Sequence, residues 1–146
     1  MTPANVLLVE DNPADQLLTK RALDRALKAR GVNYTIETVL DGQQALDRLF
    51  DGRRLRSPSF DLVLLDLWLP VLDGQDTLRH IRAHALGHHV PVVVLTTSDN
   101  RVDVERAWKA SIQAYVVKPG TNNGGRFDEV LDNLGRVFLG MNVRAA

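Results

Sequence analysis

Three runs built almost wholly of Val and Leu constrain this chain more than anything else in it: Val6-Leu7-Leu8-Val9, Leu62-Val63-Leu64-Leu65 and Val92-Val93-Val94-Leu95. A strand with one wet face alternates apolar and polar residues. These runs do not alternate, which is the pattern of strands covered on both faces, as in a parallel sheet. Two less continuous runs complete the set, so strands are predicted over residues 5–9, 34–40, 60–65, 91–96 and 112–117.

The stretches between them carry helical periodicity. Asn12 is placed to cap a helix that opens on Pro13, a favoured first position. Leu17, Leu18, Ala22, Leu23, Ala26 and Leu27 then form an apolar stripe that Gly31 ends. Asp41 followed by Gln44 resembles a capping box ahead of Ala45, Leu46, Leu49 and Phe50. Asp73-Gly74 starts a third helix carrying Leu78 and Ile81. Ser98 to Asn100 starts a fourth, carrying Val102, Val104 and Trp108, the Trp as a helix-packing aromatic. Phe127, Val130, Leu131, Leu134, Val137 and Phe138 mark a fifth. The segment 51–59, with Arg53, Arg54 and Arg56, reads as a polar loop. The fold class is therefore α/β: a doubly wound, flavodoxin-like (βα)5 with a parallel sheet of order 2-1-3-4-5. Ligands of such sheets bind beyond the carboxyl ends of the strands, where the order reverses, here between strands 1 and 3.

Those two strands end in acids. Glu10 and Asp11 follow the first and Asp66 follows the third, while Thr96 ends the fourth and Lys118 follows the fifth. Carboxylates about 4 Å apart repel by roughly 4 kcal/mol at an effective dielectric near 20, so three together raise one another's pKa or recruit a cation. The donors are all oxygens and the chain has no Cys, which favours a hard ion such as Mg²⁺. An ion that keeps some of its waters leaves room for a phosphoryl oxygen, and Asp66 is then a candidate nucleophile toward phosphorus, with Lys118 and the metal offsetting the charge.

The stretches Val9-Glu10-Asp11-Asn12, Asp66-Leu67-Trp68-Leu69-Pro70, Asp73-Gly74, Pro91 to Thr97 and Tyr115-Val116-Val117-Lys118-Pro119 resemble the receiver domain of two-component response regulators. The resemblance spans about residues 4–139, leaving 140–146 as a short extension of one receiver domain covering 1–146. It implies that Asp66 is the phosphoacceptor for a histidine kinase. Asp11, Asp66 and the Trp68 backbone carbonyl would bind Mg²⁺, with Glu10 acting largely through water. Lys118 would pair with the phosphoryl group, Thr96 and Tyr115 would form the switch pair, and the Lys118-Pro119 bond would be cis. The residues before strand 3 and the stretch Leu95 to Ser98 look like the small regulators paired with phytochrome-type kinases. The Trp68 ring has two readings, a cover over the acyl phosphate or surface packing.

A homodimer through the fourth and fifth helices is expected, since the fifth, with Leu139, Met141 and Val143 beyond it, has more apolar positions than one buried face requires. With 18 acids against 18 Lys and Arg, no global field points to nucleic acid or an anionic membrane, and no apolar run reaches the ~20 residues of a bilayer span. A cytoplasmic protein signalling through protein contacts, with no output domain of its own, is the expectation. The alternative from another class is a haloacid dehalogenase-type phosphatase, which needs a second Asp where this chain has Trp68. An FMN module would meet a repelling Glu10-Asp11 at its phosphate loop. His80, His84 and His88, spaced by four with His89 following, leave a zinc site conceivable, although Gly87 is expected to break the helix before His88.

Overall fold

The computed structural model describes residues 3–51, 54–56 and 59–118 of the chain. Strands β1 (Ala4–Val9), β2 (Tyr34–Val39), β3 (Leu62–Leu65), β4 (Val92–Thr96) and β5 (Ala114–Val117) form one sheet. Every pairing is parallel and the order is 2-1-3-4-5.

Each described helix starts where its cap chemistry says it should. In α1 (Pro13–Lys28) Asn12 Oδ1 accepts the Asp15 N–H at 3.1 Å. In α2 (Gly42–Leu49) Asp41 accepts the Gln44 N–H at 2.8 Å, while the Gln44 side chain reaches back to the Leu40 N–H at 2.9 Å. Asp73 and Asn100 cap α3 (Gly74–Ala83) and α4 (Arg101–Lys109) in the same way. Past α1 the chain turns at Gly31, whose φ of +69° suits a residue without Cβ.

The sheet is buried on both faces, as its unbroken Val and Leu runs require. Val6 and Leu8 of β1 join Leu62, Leu64, Val93 and Leu95 against Ala22, Leu23 and Leu27 of α1. Leu7 and Val9 point the other way and join Val63, Leu65, Val92 and Val94 against Ala45, Leu49, Leu78 and Ile81. Each such Leu or Val contributes about 1.5–3 kcal/mol of burial, which holds the strand ends in fixed register.

Several expectations are corrected. Strand 3 begins at Leu62 rather than 60, and strand 5 at Ala114 rather than 112. Part of the polar loop pairs instead, Phe50–Asp51 lying antiparallel to Arg54–Leu55. In α4 only Ala107 is buried, and Val102 and Trp108 are 61 % and 49 % exposed, so Trp108 is not a core aromatic. Leu17 and Leu18 are likewise outside the buried stripe of α1. Because α3 ends at Ala83, the four-residue spacing does not align the histidines on one helix. His84 instead stacks on Phe50 at 3.9 Å, and His80 Nδ1 lies 2.7 Å from the Asp76 carbonyl. The fifth helix, Pro119 with its peptide bond, and the C-terminal extension lie outside the described residues.

Candidate functional site

Register brings the polar residues to one place. Val9 lies beside Leu65, so Glu10 and Asp66 are the next neighbours across β1 and β3. The ladder continues past the strand ends, with the Asp66 N–H on the Val9 carbonyl at 3.1 Å and the Lys118 N–H on the Thr96 carbonyl at 2.7 Å. Backbone bonds therefore fix where each functional side chain begins.

The Lys118 ammonium occupies the centre. It donates to Glu10, to Asp15 Oδ2 at 2.9 Å and to Asp66 Oδ2 at 3.1 Å. Lys118, Glu10 and Asp66 are buried, and Asp11 is exposed. Carboxylate oxygens of Glu10, Asp11 and Asp66 lie within 4.8 Å of one another. Asp66 Oδ1 also accepts the Trp68 backbone N–H at 3.2 Å, and Glu10 Oε2 accepts the Asn12 N–H at 3.2 Å.

Burial and crowding shift the titration of this group. Burial pushes Glu10 up to about 7; the hydrogen bond from Lys118 opposes that and the nearby Asp66 charge adds to it. For Lys118 burial acts downward, but the hydrogen bond to Glu10, the charge of Asp66 and the hydrogen bond to Asp15 outweigh it and hold the ammonium above its usual range. A donor set of three hard oxygens with surplus negative charge suits a divalent cation. Among the described residues this is the only group of three or more possible ligand side chains, and the histidines do not form another.

The loop after Asp66 is shaped to serve it. Val71 adopts φ +66°, and the Leu72 N–H reaches the Pro70 carbonyl at 2.7 Å, which turns the chain sharply. A β-branched residue in that conformation is strained. The turn brings Gly74 under the acid. A Cβ there would lie 2.2 Å from the Asp66 carbonyl oxygen, so only glycine permits the approach. The Trp68 ring is 64 % exposed and, with Leu69, Gln75, Asp103 and Arg106, lines a groove of about 460 Å³.

Thr96 is buried, and its Oγ1 accepts the Ser98 N–H at 3.3 Å. Tyr115 is half-buried and its hydroxyl donates to the Ser98 carbonyl at 2.8 Å. The Ser98 hydroxyl donates to Asp103 Oδ2 at 2.6 Å. Ser98 thus joins the two residues expected to form a pair, and sequence reasoning missed it. Three consecutive hydroxyls, Thr96, Thr97 and Ser98, carry no mark of which one bridges. Asp15 was missed too, because an acid in a first helical turn is ordinary dipole complementation.

Residues 6–124 match the family model described as response regulator receiver domain. The probable methanogenesis regulatory protein FilR2 of Methanothrix harundinacea (strain 6Ac) is 41% identical over 119 residues, which cover 80% of this chain and 73% of that protein. The crystal structure of the phosphorylated cyanobacterial phytochrome response regulator RcpA superposes with a TM-score of 0.81 at 30% identity, over 96% of each chain. The Mn²⁺-bound form of response regulator Rcp1 gives 0.77 at 29% identity, over 94% of this chain and 95% of that one.

Proposed function

The chain belongs to the response regulator receiver family, and on that premise we propose that Asp66 accepts a phosphoryl group from a histidine kinase and that the protein signals through contacts with other proteins. Three oxygen donors from two strand ends, Glu10, Asp11 and Asp66, two of which also hold the buried Lys118 ammonium, carry this assignment. An acid at 68, which the phosphatase alternative needs, is absent, since that position is Trp68.

Asp11, Asp66 and the Trp68 carbonyl would hold Mg²⁺, with Glu10 acting through water, and the donor chemistry fits that ion. When bound, the ion supplies positive charge that offsets the charge of the phosphoryl oxygens. The Trp68 N–H and Lys118 each hold one oxygen of the Asp66 carboxylate and so restrain its orientation for attack on phosphorus. Lys118 neutralises charge on the equatorial oxygens. Thr96 Oγ1 accepts from Ser98, which leaves its own proton for a phosphoryl oxygen. Tyr115 reads that movement through Ser98, and the phosphoryl group favours the conformation in which both hydroxyls are engaged.

The similarity to RcpA supports a phytochrome-type histidine kinase as the donor. We further propose that residues 4–139 act as one receiver unit within 1–146. The exposed Val102, Trp108 and Val117 support a homodimer formed through α4 and the segment after β5. Among the described residues no helix is long and apolar enough to cross a membrane.

The test is labelling by acetyl phosphate. Wild-type protein should take up phosphate in a Mg²⁺-dependent way, and Asp66→Asn should take up none. Full labelling of Asp66→Asn refutes the assignment.

A further inference from the structure

Lys118 carries three N–H donors, and each has a carboxylate. Two of these, Glu10 and Asp66, belong to the strand ends. The third, Asp15, comes from the first turn of α1 and accepts at 2.9 Å. Its carboxylate is not needed for the cap, which Asn12 supplies through the Asp15 backbone N–H. Nor is it one of the three acids whose oxygens cluster within 4.8 Å. The Asp15 side chain is 31 % exposed, against 2 % for Glu10 and 9 % for Asp66, so it is the solvent-facing acceptor of the three.

We propose that Asp15 is a positioning residue that, by holding one donor of Lys118, restrains phosphorylation of Asp66. The role rests on the acceptor assignment above. In the transfer an Asp66 carboxylate oxygen gives a lone pair to phosphorus while the donor's P–O bond breaks. With acetyl phosphate, acetate leaves with the bonding pair and no proton moves. The arriving phosphoryl oxygens bring negative charge and need an N–H of Lys118. Asp66 gives up its claim on the ammonium when its carboxylate becomes an acyl phosphate, but the Asp15 carboxylate keeps its own. It also repels the incoming group. Competition for the ammonium and repulsion of the phosphoryl oxygens therefore act in the same direction, against transfer.

The test compares wild type with Asp15→Asn, Asp15→Ser and Asp15→Glu by initial labelling rates across acetyl phosphate concentrations at saturating Mg²⁺. Both neutral variants should label about three- to tenfold faster, the range suited to a partly screened charge, and the Glu variant should stay near the wild-type rate. The gain should shrink as salt is raised. Metal-free protein supplies a second readout. Urea unfolding of Asp15→Asn, Lys118→Met and the double variant should be non-additive, which a general effect on helix stability would not produce. Neutral variants that label no faster than a labelling wild type, or an additive cycle, overturn the role of Asp15 alone. Wild-type protein that takes no label overturns the acceptor assignment and this role together.

Discussion

Lys118 at the strand ends and Arg82 near the end of α3 both take a cation out of water, and their surroundings differ in kind. Lys118 faces three carboxylates, more negative charge than one ammonium can balance. Arg82 faces neutral dipoles: its guanidinium donates to the carbonyls of Ala110 at 2.8 Å, Gly87 at 2.7 Å, Val90 at 2.8 Å and Ser111 at 3.0 Å. The titration follows. The acids raise Lys118, whereas burial lowers Arg82. Fixed dipoles that satisfy a fork of donors make a brace, here tying α3 to the loops before β4 and β5, including Ser111 at φ +60°. Three carboxylates around a single ammonium leave negative charge over, which makes an electrostatic site rather than a brace.

Substitutions at four positions sharpen or break that contrast. The largest effect belongs to Lys118→Met, which should slow Mg²⁺-dependent labelling of Asp66 on the order of 10²–10³-fold, as loss of a charge-stabilising donor does. A variant that labels at the wild-type rate would make Lys118 a brace as well. Arg82→Met should leave labelling within about twofold but cost roughly 2–4 kcal/mol in urea unfolding, because it strips donors from four carbonyls at once. Arg82→Lys should recover only part, since an ammonium lacks the planar fork. Should Arg82→Met unfold like wild type, the carbonyl cradle is not structural.

Gly74→Ala tests how rigidly the acid is seated. The new Cβ would meet the Asp66 carbonyl oxygen at 2.2 Å and Leu67 Cα at 2.4 Å, both backbone. Overpacking of that kind costs about 1–3 kcal/mol, and labelling should fall with it because Asp66 must shift. Unchanged labelling would show that the loop yields without moving the carboxylate.

The smallest effect lies at a partly exposed pair that serves as a control. Glu37 accepts two bonds from the Arg48 guanidinium, one of them at 2.8 Å. That contact lowers the pKa of Glu37 below its ordinary 4.5. A depressed carboxylate adds stability above its unfolded pKa and loses it as the pH falls through the folded value. Glu37→Gln should therefore flatten the stability profile below about pH 4.5 and change it by less than ~1 kcal/mol at neutral pH, since both side chains are partly exposed. An unaltered acid limb of the unfolding curve would show that the pair contributes nothing.

The sheet was legible because its strands leave no alternative: Val6 to Val9 and Leu62 to Leu65 have no polar face to turn to water. Strand ends then fixed the neighbourhood of Glu10, Asp66 and Lys118 by register alone. Side-chain reach was not legible. Asp15 meets Lys118 across 103 positions of sequence, and Arg82 finds carbonyls whose loops no periodicity describes. The stripe of α4 misled because Val104 and Trp108 have the i, i+4 spacing of one helical face, yet among the described residues Trp108 is exposed and only Ala107 of this helix is buried.

Ser98 holds a hydroxyl on each side of its own backbone, accepting from Tyr115 at its carbonyl and donating to Thr96 from its amide. One residue answers to both side chains, through the two peptide units that meet at its Cα. Thr96 and Tyr115 are thus joined through one residue as well as through the β4–β5 ladder.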